Sequence, residues 1–237
     1  MQRYFAKSKN KDKFILNESD YHHIKNVMRM KDNDLLEVVL DNKLYECHLD
    51  NYEVILDKEI VLDVKNNKQI TLILPLLQEQ KMDLVLQKST ELGVNKIIPI
   101  ITSRTKVKLD KDKEIKKIKR WASICKEASE QSKRIDIPVI ESVKKLKELS
   151  NLDGLKLICS TTEASNNIRN SLQKHKKCDI INVVIGPEGG FEKSEEDYLV
   201  NIGFEKVTLG NRILRVETAA LFLLSVIEYE FMEWFYE

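Results

Sequence analysis

The sequence predicts an α/β protein in which a small β-rich domain precedes a domain with a mostly parallel sheet. Residues 1–65 contain short apolar runs of strand length with one helix-like segment among them. Beyond a polar break at residues 65–68, strand-like and helix-like segments alternate. Clustered short strands are typical of a small barrel, whereas regular alternation indicates a parallel sheet with helices on both faces. We therefore expect two domains, residues 1–68 and residues 69–237.

The first domain is expected to contain four short strands and one helix. The helix runs from about Ser19 to Met30, and Asp41-Asn42 suit a hairpin turn between the second and third strands. The predicted strands are Phe14–Leu16, Leu35–Leu40, Leu44–Leu49 and Ile60–Val64.

The second domain is expected to alternate strands with helices. Its predicted strands are Ile70–Leu77, Lys96–Ile101, Lys156–Ser160, Ile180–Ile185 and Lys206–Leu209. Its predicted helices are Lys81–Leu92, Asp112 to about Ser132, a short helix before Ile180, a helix that Ser194 opens and a last helix from near Glu217. Carboxylates follow Ser194 in the first turn of its helix, where the helix dipole favours them, and Gly203 suits the C-terminal cap.

Charge is unevenly distributed along a chain whose net charge is only +1. Residues 102–134 carry 12 basic and 5 acidic side chains, whereas residues 217–237 carry five glutamates and no Lys or Arg. A patch of cations supplies the salt-dependent attraction that RNA binding requires, although any single lysine is more often part of a solvated helix face. The basic middle segment is therefore a candidate RNA-binding surface.

The cysteines and the apolar runs indicate a reduced protein without a metal site or a membrane segment. Cys47, Cys125, Cys159 and Cys178 are widely separated, and the four histidines add no zinc-site spacing. The N-terminus lacks the apolar stretch of a signal peptide. The apolar run at 219–227 is far shorter than the ~20 residues of a membrane-spanning helix. We therefore expect a cytoplasmic protein that binds no metal.

Two loops are expected to meet at the carboxyl edge of the sheet, because each lies after a strand and before a helix. The first reads Gly186-Pro187-Glu188-Gly189-Gly190, and the second reads Leu209-Gly210-Asn211-Arg212-Ile213-Leu214-Arg215. The glycine spacing matches neither common phosphate-binding pattern, so a plain tight turn is an equal alternative for the first loop. Arg212 and Arg215 flank two apolar residues, which suits a ligand with an apolar plane and an anionic or carbonyl edge.

The segment GPEGGF followed by LGNRILRVETAA resembles the bacterial 16S ribosomal RNA uridine N3-methyltransferase family of the SPOUT class. The segments RYF, MDLVLQKSTELGVNKIIPI and RWASICKEASEQSKRIDIPVI also resemble that family and follow its order, so the likeness covers most of the chain. Three residues depart from the usual pattern. Ser89 and Lys133 stand where small residues are usual, and Asn33 stands where a turn glycine is usual, a replacement that is tolerated because Asn can adopt left-handed conformations. The resemblance implies a trefoil-knotted methyltransferase domain and a PUA-like RNA-binding β-barrel domain.

The resemblance also implies S-adenosylmethionine as the cofactor and 16S rRNA in the 30S ribosomal subunit as the partner. The residues expected to hold the cofactor are Thr161, Thr162, Glu163, Gly186, Pro187, Glu188, Gly189, Gly190, Leu209, Gly210, Asn211, Arg212, Ile213 and Leu214. Arg212 and Arg215 are candidates to stabilise negative charge on the uracil carbonyls. Glu188 or Glu217 is a candidate acceptor for the N3 proton. A loop-fixing acceptor at Glu188 and a helix-start carboxylate at Glu217 are the alternatives.

The remaining expectations concern partners. The residues placed on the RNA-facing surface are Arg3, Arg29, Lys31, Arg104, Lys106, Lys108 and Arg134, each with a plain surface charge as the alternative. The resemblance implies a homodimer whose active sites use both subunits, and the last helix is apolar enough to form either an interface or core. The rival functions are a methyltransferase of the same fold that acts on tRNA or another rRNA site, and a non-catalytic RNA-binding protein.

Overall fold

The computed structural model describes residues 1–62, 68–107, 109–161 and 165–231, and for Lys111 only the backbone. The chain forms two compact units. The N-terminal unit comprises Met1–Lys65 and Lys126–Ile137, and the C-terminal unit comprises Asn66–Cys125 and Pro138–Glu237. The polar break at residues 65–68 lies mostly outside the described residues, and the domain boundary expected at residue 68 stays a prediction.

The N-terminal unit is built on one six-stranded sheet. Its strands are β1 (Gln2–Phe5), β2 (Ser8–Asn10), β3 (Lys13–Ile15), β4 (Leu35–Leu40), β5 (Lys43–Asp50) and β6 (Glu53–Ile60). They are ordered β1-β4-β5-β6-β3-β2, and all neighbours are antiparallel except the parallel pair β1 and β4. Helix α1 (Glu18–His22) continues as a π-helical turn, His23–Val27.

Most predicted elements of this unit are confirmed, but the fourth strand was placed wrongly. β3, β4 and β5 match the predictions, and Asp41 and Asn42 form the turn between β4 and β5 with φ of +50° and +59°. A strand was predicted at Ile60–Val64, but the strand in this region is β6, which begins at Glu53 and ends at Ile60. Residues 63–67 lie outside the described ranges. The charged run at 57–59 is solvent-exposed and hides the strand pattern. Strands β1 and β2 were missed because they are short and rich in polar residues.

Apolar residues from the sheet and from α1 with its π-helical turn form the core of the N-terminal unit. The buried members are Tyr4, Phe14, Leu16, Ile24, Leu36, Val38, Tyr45, Cys47, Leu49 and Val54. Burial raises the pKa of Tyr4 to about 12. Its hydroxyl lies 2.9 Å from Nδ1 of His23, which joins β1 to the π-helical turn.

A buried arginine ties β1, β4 and the segment 126–137 together. Arg3 is only 7% exposed, and its Nε donates to Glu37 at 3.0 Å. Its Nη1 donates to the backbone carbonyls of Lys133 and Arg134. Burial alone would raise the pKa of Glu37, but hydrogen bonds from Lys133 and Arg3 outweigh burial and hold that pKa below its usual value. The guanidinium therefore acts as an internal crosslink.

The C-terminal unit contains a seven-stranded sheet whose paired strands are all parallel, as predicted. Its strands are β7 (Gln69–Pro75), β8 (Lys96–Ile101), β9 (Val139–Ile140), β10 (Lys144–Lys145), β11 (Leu155–Cys159), β12 (Ile180–Val184) and β13 (Glu205–Val207). Their order is β10-β8-β7-β12-β11-β13, with β9 paired to β8. Its helices are α2 (Glu79–Glu91), α3 (Lys111–Gln131, which extends into the N-terminal unit), α4 (Ile168–Lys174), α5 (Lys193–Asn201) and α6 (Val216–Phe231).

Both faces of this sheet are buried, which explains why its strands read as continuous apolar runs. On one face, Ile73, Ile98 and Val184 form a cluster with Leu199 of α5. Their neighbours in sequence, such as Leu72 and Val183, point to the other face and are 0% exposed. The sheet is therefore the core of this unit. A trefoil knot stays a prediction.

The predicted start of one helix is wrong. α5 begins at Lys193 with Glu192 as its N-cap, so Ser194 does not open it. The Glu192 N–H donates to Glu195 Oε2 at 2.9 Å, a capping interaction in which a glutamate occupies the position expected for serine. Among the helices of the described ranges, none has the length and apolar character that crossing a membrane would require.

Replacing Arg3 by Ala should destabilise the N-terminal unit by about 2 kcal/mol at neutral pH. Glu37 would keep Lys133 but lose one of its two cationic partners within a largely buried site, and the carbonyls of Lys133 and Arg134 would lose their donor. Because the pKa of Glu37 is lowered in the fold, its contribution is present above the ordinary carboxyl pKa and is lost as the pH falls through the lowered value. Urea unfolding measured at neutral and acidic pH checks both statements.

The matched control is Lys13→Ala, which removes an exposed pair with Glu53. Exposed pairs contribute roughly 0–1 kcal/mol, so this variant should unfold almost like the unmodified protein. Equal losses in the two variants would contradict a crosslinking role for Arg3.

Candidate active site

The carboxyl ends of three neighbouring strands define one edge of the C-terminal sheet. β12, β11 and β13 lie side by side and run in the same direction. The segments that follow them are residues 185–192, residues 160–161 and residues 208–215. Because the strands are parallel, all three segments leave the sheet at the same edge. The loop from Gly186 to Gly190 and the loop from Leu209 to Arg215, which were predicted to meet at this edge, therefore lie together there.

A cavity of about 690 Å³ lies between these segments. It is lined by residues 159–161, 185–191 and 208–216, together with Lys81, Glu196 and Ala219. This volume falls within the range of small-molecule sites, which is about 300–1,000 Å³. The cavity is the strongest candidate for a ligand site in the described part of this unit.

Two glycines shape the first loop for different reasons. Gly190 has φ of +71°, a left-handed conformation that strains other residues, and its N–H donates to the Pro187 carbonyl at 2.8 Å. Gly189 has no such φ, but a Cβ there would lie 3.2 Å from Cδ of Arg104. The turn thus requires one glycine, whereas at the other an added Cβ would press against a neighbouring side chain.

A network of charged side chains lies at the cavity. Lys81 Nζ is 2.5 Å from Glu188 Oε1, and Lys106 Nζ is 3.3 Å from Glu188 Oε2. The hydrogen bond from Lys81, followed by that from Lys106, lowers the pKa of Glu188. The hydrogen bond to Glu188 in turn raises the pKa of Lys81. Glu188 is therefore held as a carboxylate and is a weaker base than a solitary glutamate.

Glu217 lies in the first turn of α6 and is mostly buried. Its side chain is 15% exposed, and its Oε1 is 3.9 Å from Lys81 Nζ. Within the described ranges its Oε2 is buried without a hydrogen-bond partner. A buried carboxylate oxygen without a donor is unfavourable, so this atom keeps its capacity to accept a proton or a hydrogen bond.

Arg212 and Arg215 are both exposed and line the cavity. In the described part of the chain, no hydrogen bond or ion pair holds either guanidinium. Ile213 between them is 86% exposed and also lines the cavity. As far as the described residues go, the guanidinium donors of the two arginines therefore remain available to a ligand.

The predicted cofactor residues come together wherever the structure describes them. Thr161, the residues from Gly186 to Gly190 and those from Leu209 to Leu214 all line the cavity. Thr162 and Glu163 lie outside the described residues. The assignment of these residues to a cofactor stays a prediction.

The residues predicted to face RNA are found in different settings. Arg29 and Lys31 are exposed, and Lys108 lies outside the described residues. Arg3 is buried in its ion pair with Glu37, and this placement argues against an exposed RNA-facing position. The side chain of Arg134 is 11% exposed and is paired with Asp136 at 2.7 Å.

Arg104 and Lys106 lie on the loop after β8 and contact the glycine loop directly. Arg104 Nη1 donates to the Gly189 carbonyl at 2.7 Å, and Lys106 pairs with Glu188. Sequence reasoning assigned both residues to RNA alone and did not connect them with this site.

Lys81 and Glu195 were missed by the sequence analysis. Lys81 lies near the start of α2, just beyond the carboxyl end of β7, and so at the edge that carries the loops. Its place just after a predicted strand was the sequence signal that could have assigned Lys81 to this site. Glu195 accepts hydrogen bonds from the backbone N–H and the hydroxyl of Ser103, at 2.7 and 3.0 Å, and only folding reveals this pairing.

No cluster of His, Cys, Asp and Glu suited to a metal ion occurs among the residues that the structure describes.

Comparison with known proteins defines the class to which this fold and site belong. Residues 64–228 match a family model described as an RNA methyltransferase domain, and residues 16–51 match an RNA methyltransferase PUA domain. The parallel sheet with its cavity at the carboxyl edge is thus that of an RNA methyltransferase. The predicted SPOUT-type fold with an N-terminal PUA-like domain is confirmed.

Full-length relatives identify the family. The chain is 38% identical to ribosomal RNA small subunit methyltransferase E of Mesomycoplasma hyopneumoniae, across 95% of this chain and 98% of that protein. It is 32% identical to the Bacillus subtilis protein of that name, across 97% of both chains. The structure of a Neisseria gonorrhoeae ribosomal RNA small subunit methyltransferase E bound to S-adenosyl methionine aligns with a TM-score of 0.84, at 30% identity, over 97% of this chain and 98% of that one. This protein belongs to the ribosomal RNA small subunit methyltransferase E family.

Replacing Glu188 by Gln should lower the pKa of Lys81 toward that of an ordinary lysine, because the hydrogen bond to Glu188 is the main cause of its elevation. Titration of the Lys81 side chain by NMR measures this change. Glu196→Gln is the matched control, since Glu196 lines the same cavity but pairs with Lys206. An unchanged Lys81 pKa in Glu188→Gln would contradict the network described above.

Proposed function

We propose that this protein transfers a methyl group from S-adenosylmethionine to N3 of a uridine in 16S rRNA of the small ribosomal subunit. The observation that carries the proposal is the 38% identity to a ribosomal RNA small subunit methyltransferase E over 95% of the chain. The position of the cavity at the carboxyl edge of the parallel sheet supports it independently.

The cavity suits a cofactor of this size and chemistry. When bound, S-adenosylmethionine supplies an electrophilic methyl group carried on a sulfonium. Gly190 and Gly210 line the cavity, and a Cβ at either position would meet no atom within 4 Å, so backbone groups are open to a ligand there. The cofactor bound to the Neisseria gonorrhoeae relative supports the same assignment.

Arg212 and Arg215 are the residues we assign to charge stabilisation. Loss of the N3 proton places negative charge on the two uracil carbonyls, and planar guanidinium groups match such acceptors. Both arginines line the cavity and keep their donors unused within the described residues. Methyl transfer leaves the protein to position the base, to stabilise this charge and to accept the N3 proton.

Glu217 is favoured over Glu188 as the acceptor of the N3 proton. Glu188 is bound by two lysines, which lower its pKa and so its basicity. Glu217 keeps a buried oxygen without a partner, and its other oxygen is 3.9 Å from Lys81, which lines the cavity. A proton acceptor needs an oxygen that is free to accept, and Glu217 lies next to a residue of the cavity lining without being part of that lining.

Two further proposals concern partners. Exposed Arg29 and Lys31, together with the basic segment of residues 102–134, would supply the attraction for rRNA. A homodimer stays a prediction. It is supported by α6, which leaves Phe222 and Tyr229 exposed at 42% and 69%. Action on tRNA or another rRNA site, and a non-catalytic role, are less well supported, because the relatives named above are small-subunit rRNA methyltransferases across their full length.

Incubation of the purified protein with methyl-labelled S-adenosylmethionine and unmodified 30S particles should label a single uridine of 16S rRNA at N3. Nucleoside analysis with mapping of the labelled fragment identifies the product. Purified tRNA serves as the comparison substrate. Label on tRNA instead would favour the rival methyltransferase, and cofactor binding without any transfer would favour a non-catalytic role.

Single replacement of Arg212 or Arg215 by Ala should reduce turnover on 30S particles roughly 100- to 1,000-fold in at least one variant, because a donor to the developing charge is lost. Both side chains are exposed, so the free energy of unfolding should change by less than about 0.5 kcal/mol. Arg169→Ala, an exposed arginine of α4, is the matched control. Near-normal turnover in both variants would remove these arginines from the mechanism.

A further inference from the structure

We propose that Arg104 is a positioning residue of the cofactor site, which holds the Gly189–Gly190 peptide in one orientation. The inference rests on the proposed function, because it takes the glycine loop to be part of the S-adenosylmethionine site. It differs from the sequence-based expectation, in which Arg104 contacts RNA.

The peptide between Gly189 and Gly190 is held at both ends. Its carbonyl accepts a hydrogen bond from Arg104 Nη1 at 2.7 Å, and its N–H donates to the Pro187 carbonyl at 2.8 Å. A peptide between two glycines rotates easily, because neither residue has a Cβ that restricts φ and ψ. Without Arg104 only one of the two restraints would remain.

The stem of Arg104 also occupies the space above Gly189. A Cβ at residue 189 would lie 3.2 Å from Cδ and 3.5 Å from Cβ of Arg104. The φ of Gly189 lies outside the left-handed region, so its backbone conformation does not demand glycine. An added Cβ at residue 189 would therefore press against the Arg104 side chain, which would have to shift by a few tenths of an ångström.

The loop that carries Arg104 is itself fixed in shape. The Thr105 hydroxyl lies 2.9 Å from both the backbone nitrogen and the hydroxyl of Thr102, and the Thr105 N–H donates to the Thr102 carbonyl at 3.1 Å. Thr102 is 6% exposed. These bonds close a turn over residues 102–105, which presents Arg104 in a defined direction.

Two further contacts fasten this turn to the cofactor loop and to α5. Ser103 donates from its backbone N–H and its hydroxyl to Glu195 Oε1, while Glu195 Oε2 accepts from the Glu192 N–H that caps α5. Lys106 pairs with Glu188. Arg104 lies between these contacts, so its hydrogen bond acts on a loop that is already aligned with it.

The test is the affinity for S-adenosylmethionine, measured by calorimetry in the absence of RNA, so that a loss of RNA contacts cannot affect the result. Arg104→Ala should weaken binding about tenfold, as expected for the loss of a charged hydrogen bond. Arg104→Lys keeps a donor and should recover part of the affinity. Arg169→Ala removes an exposed arginine elsewhere and should bind like the unmodified protein.

A double-mutant cycle with Gly189→Ala tests the contact itself. The added methyl group should weaken binding when Arg104 is present and have little further effect in Arg104→Ala. In steady-state assays Arg104→Ala should raise KM for S-adenosylmethionine more than it lowers kcat. Melting temperatures show that the variants remain folded.

The outcomes separate this inference from the proposed function. If the unmodified protein binds S-adenosylmethionine and Arg104→Ala binds within twofold of it, or the two substitutions act additively, Arg104 does not position the loop. If the unmodified protein does not bind S-adenosylmethionine, the proposed function itself is wrong.

Discussion

The common direction of β12, β11 and β13 is the constraint on which the rest of the C-terminal unit depends. These strands are neighbours in one parallel sheet, so the chain leaves each of them at the same edge. Backbone groups beyond that edge need new partners, and the loops supply them, for example where the Thr208 N–H donates to the Asn166 carbonyl at 2.8 Å. Reversal of one strand would carry its loop to the opposite edge and remove a wall of the cavity.

Charged side chains gather at the cavity because the loops that follow these three strands leave the sheet at the same edge. Of the charged residues that line the cavity, Lys81, Arg212 and Arg215 are cations and Glu188 and Glu196 are carboxylates. Arg104, Lys106 and Glu217 lie next to that lining. Exposed ion pairs add little to stability, so the pairing of Glu188 matters mainly for its own basicity and for the orientation of Lys81. Cations exceed carboxylates, and such a surface attracts a polyanion before any specific contact forms.

The arginines of this chain show how packing assigns different tasks to one residue type. Arg3 is buried and satisfied by Glu37 and two backbone carbonyls, so it stabilises the N-terminal unit. Arg104 is exposed but bound to a backbone carbonyl of the glycine loop. Arg212 is exposed at the cavity with no bonded partner among the described residues. A guanidinium offers five donors in each case, and the surroundings decide which acceptor they meet.

The sequence by itself determined the parallel sheet, the two loops at its edge and the family, because apolar runs, glycine positions and the quoted segments are local signals. It did not determine the end of β6, where exposed charged residues mask a strand, or the start of α5, where Glu192 replaces the expected serine cap. Only the tertiary structure joined Lys81 to Glu188 and Arg104 to Gly189, which are 107 and 85 positions apart in the chain. Contacts between residues this distant depend on how the strands pair, and no local pattern records that pairing.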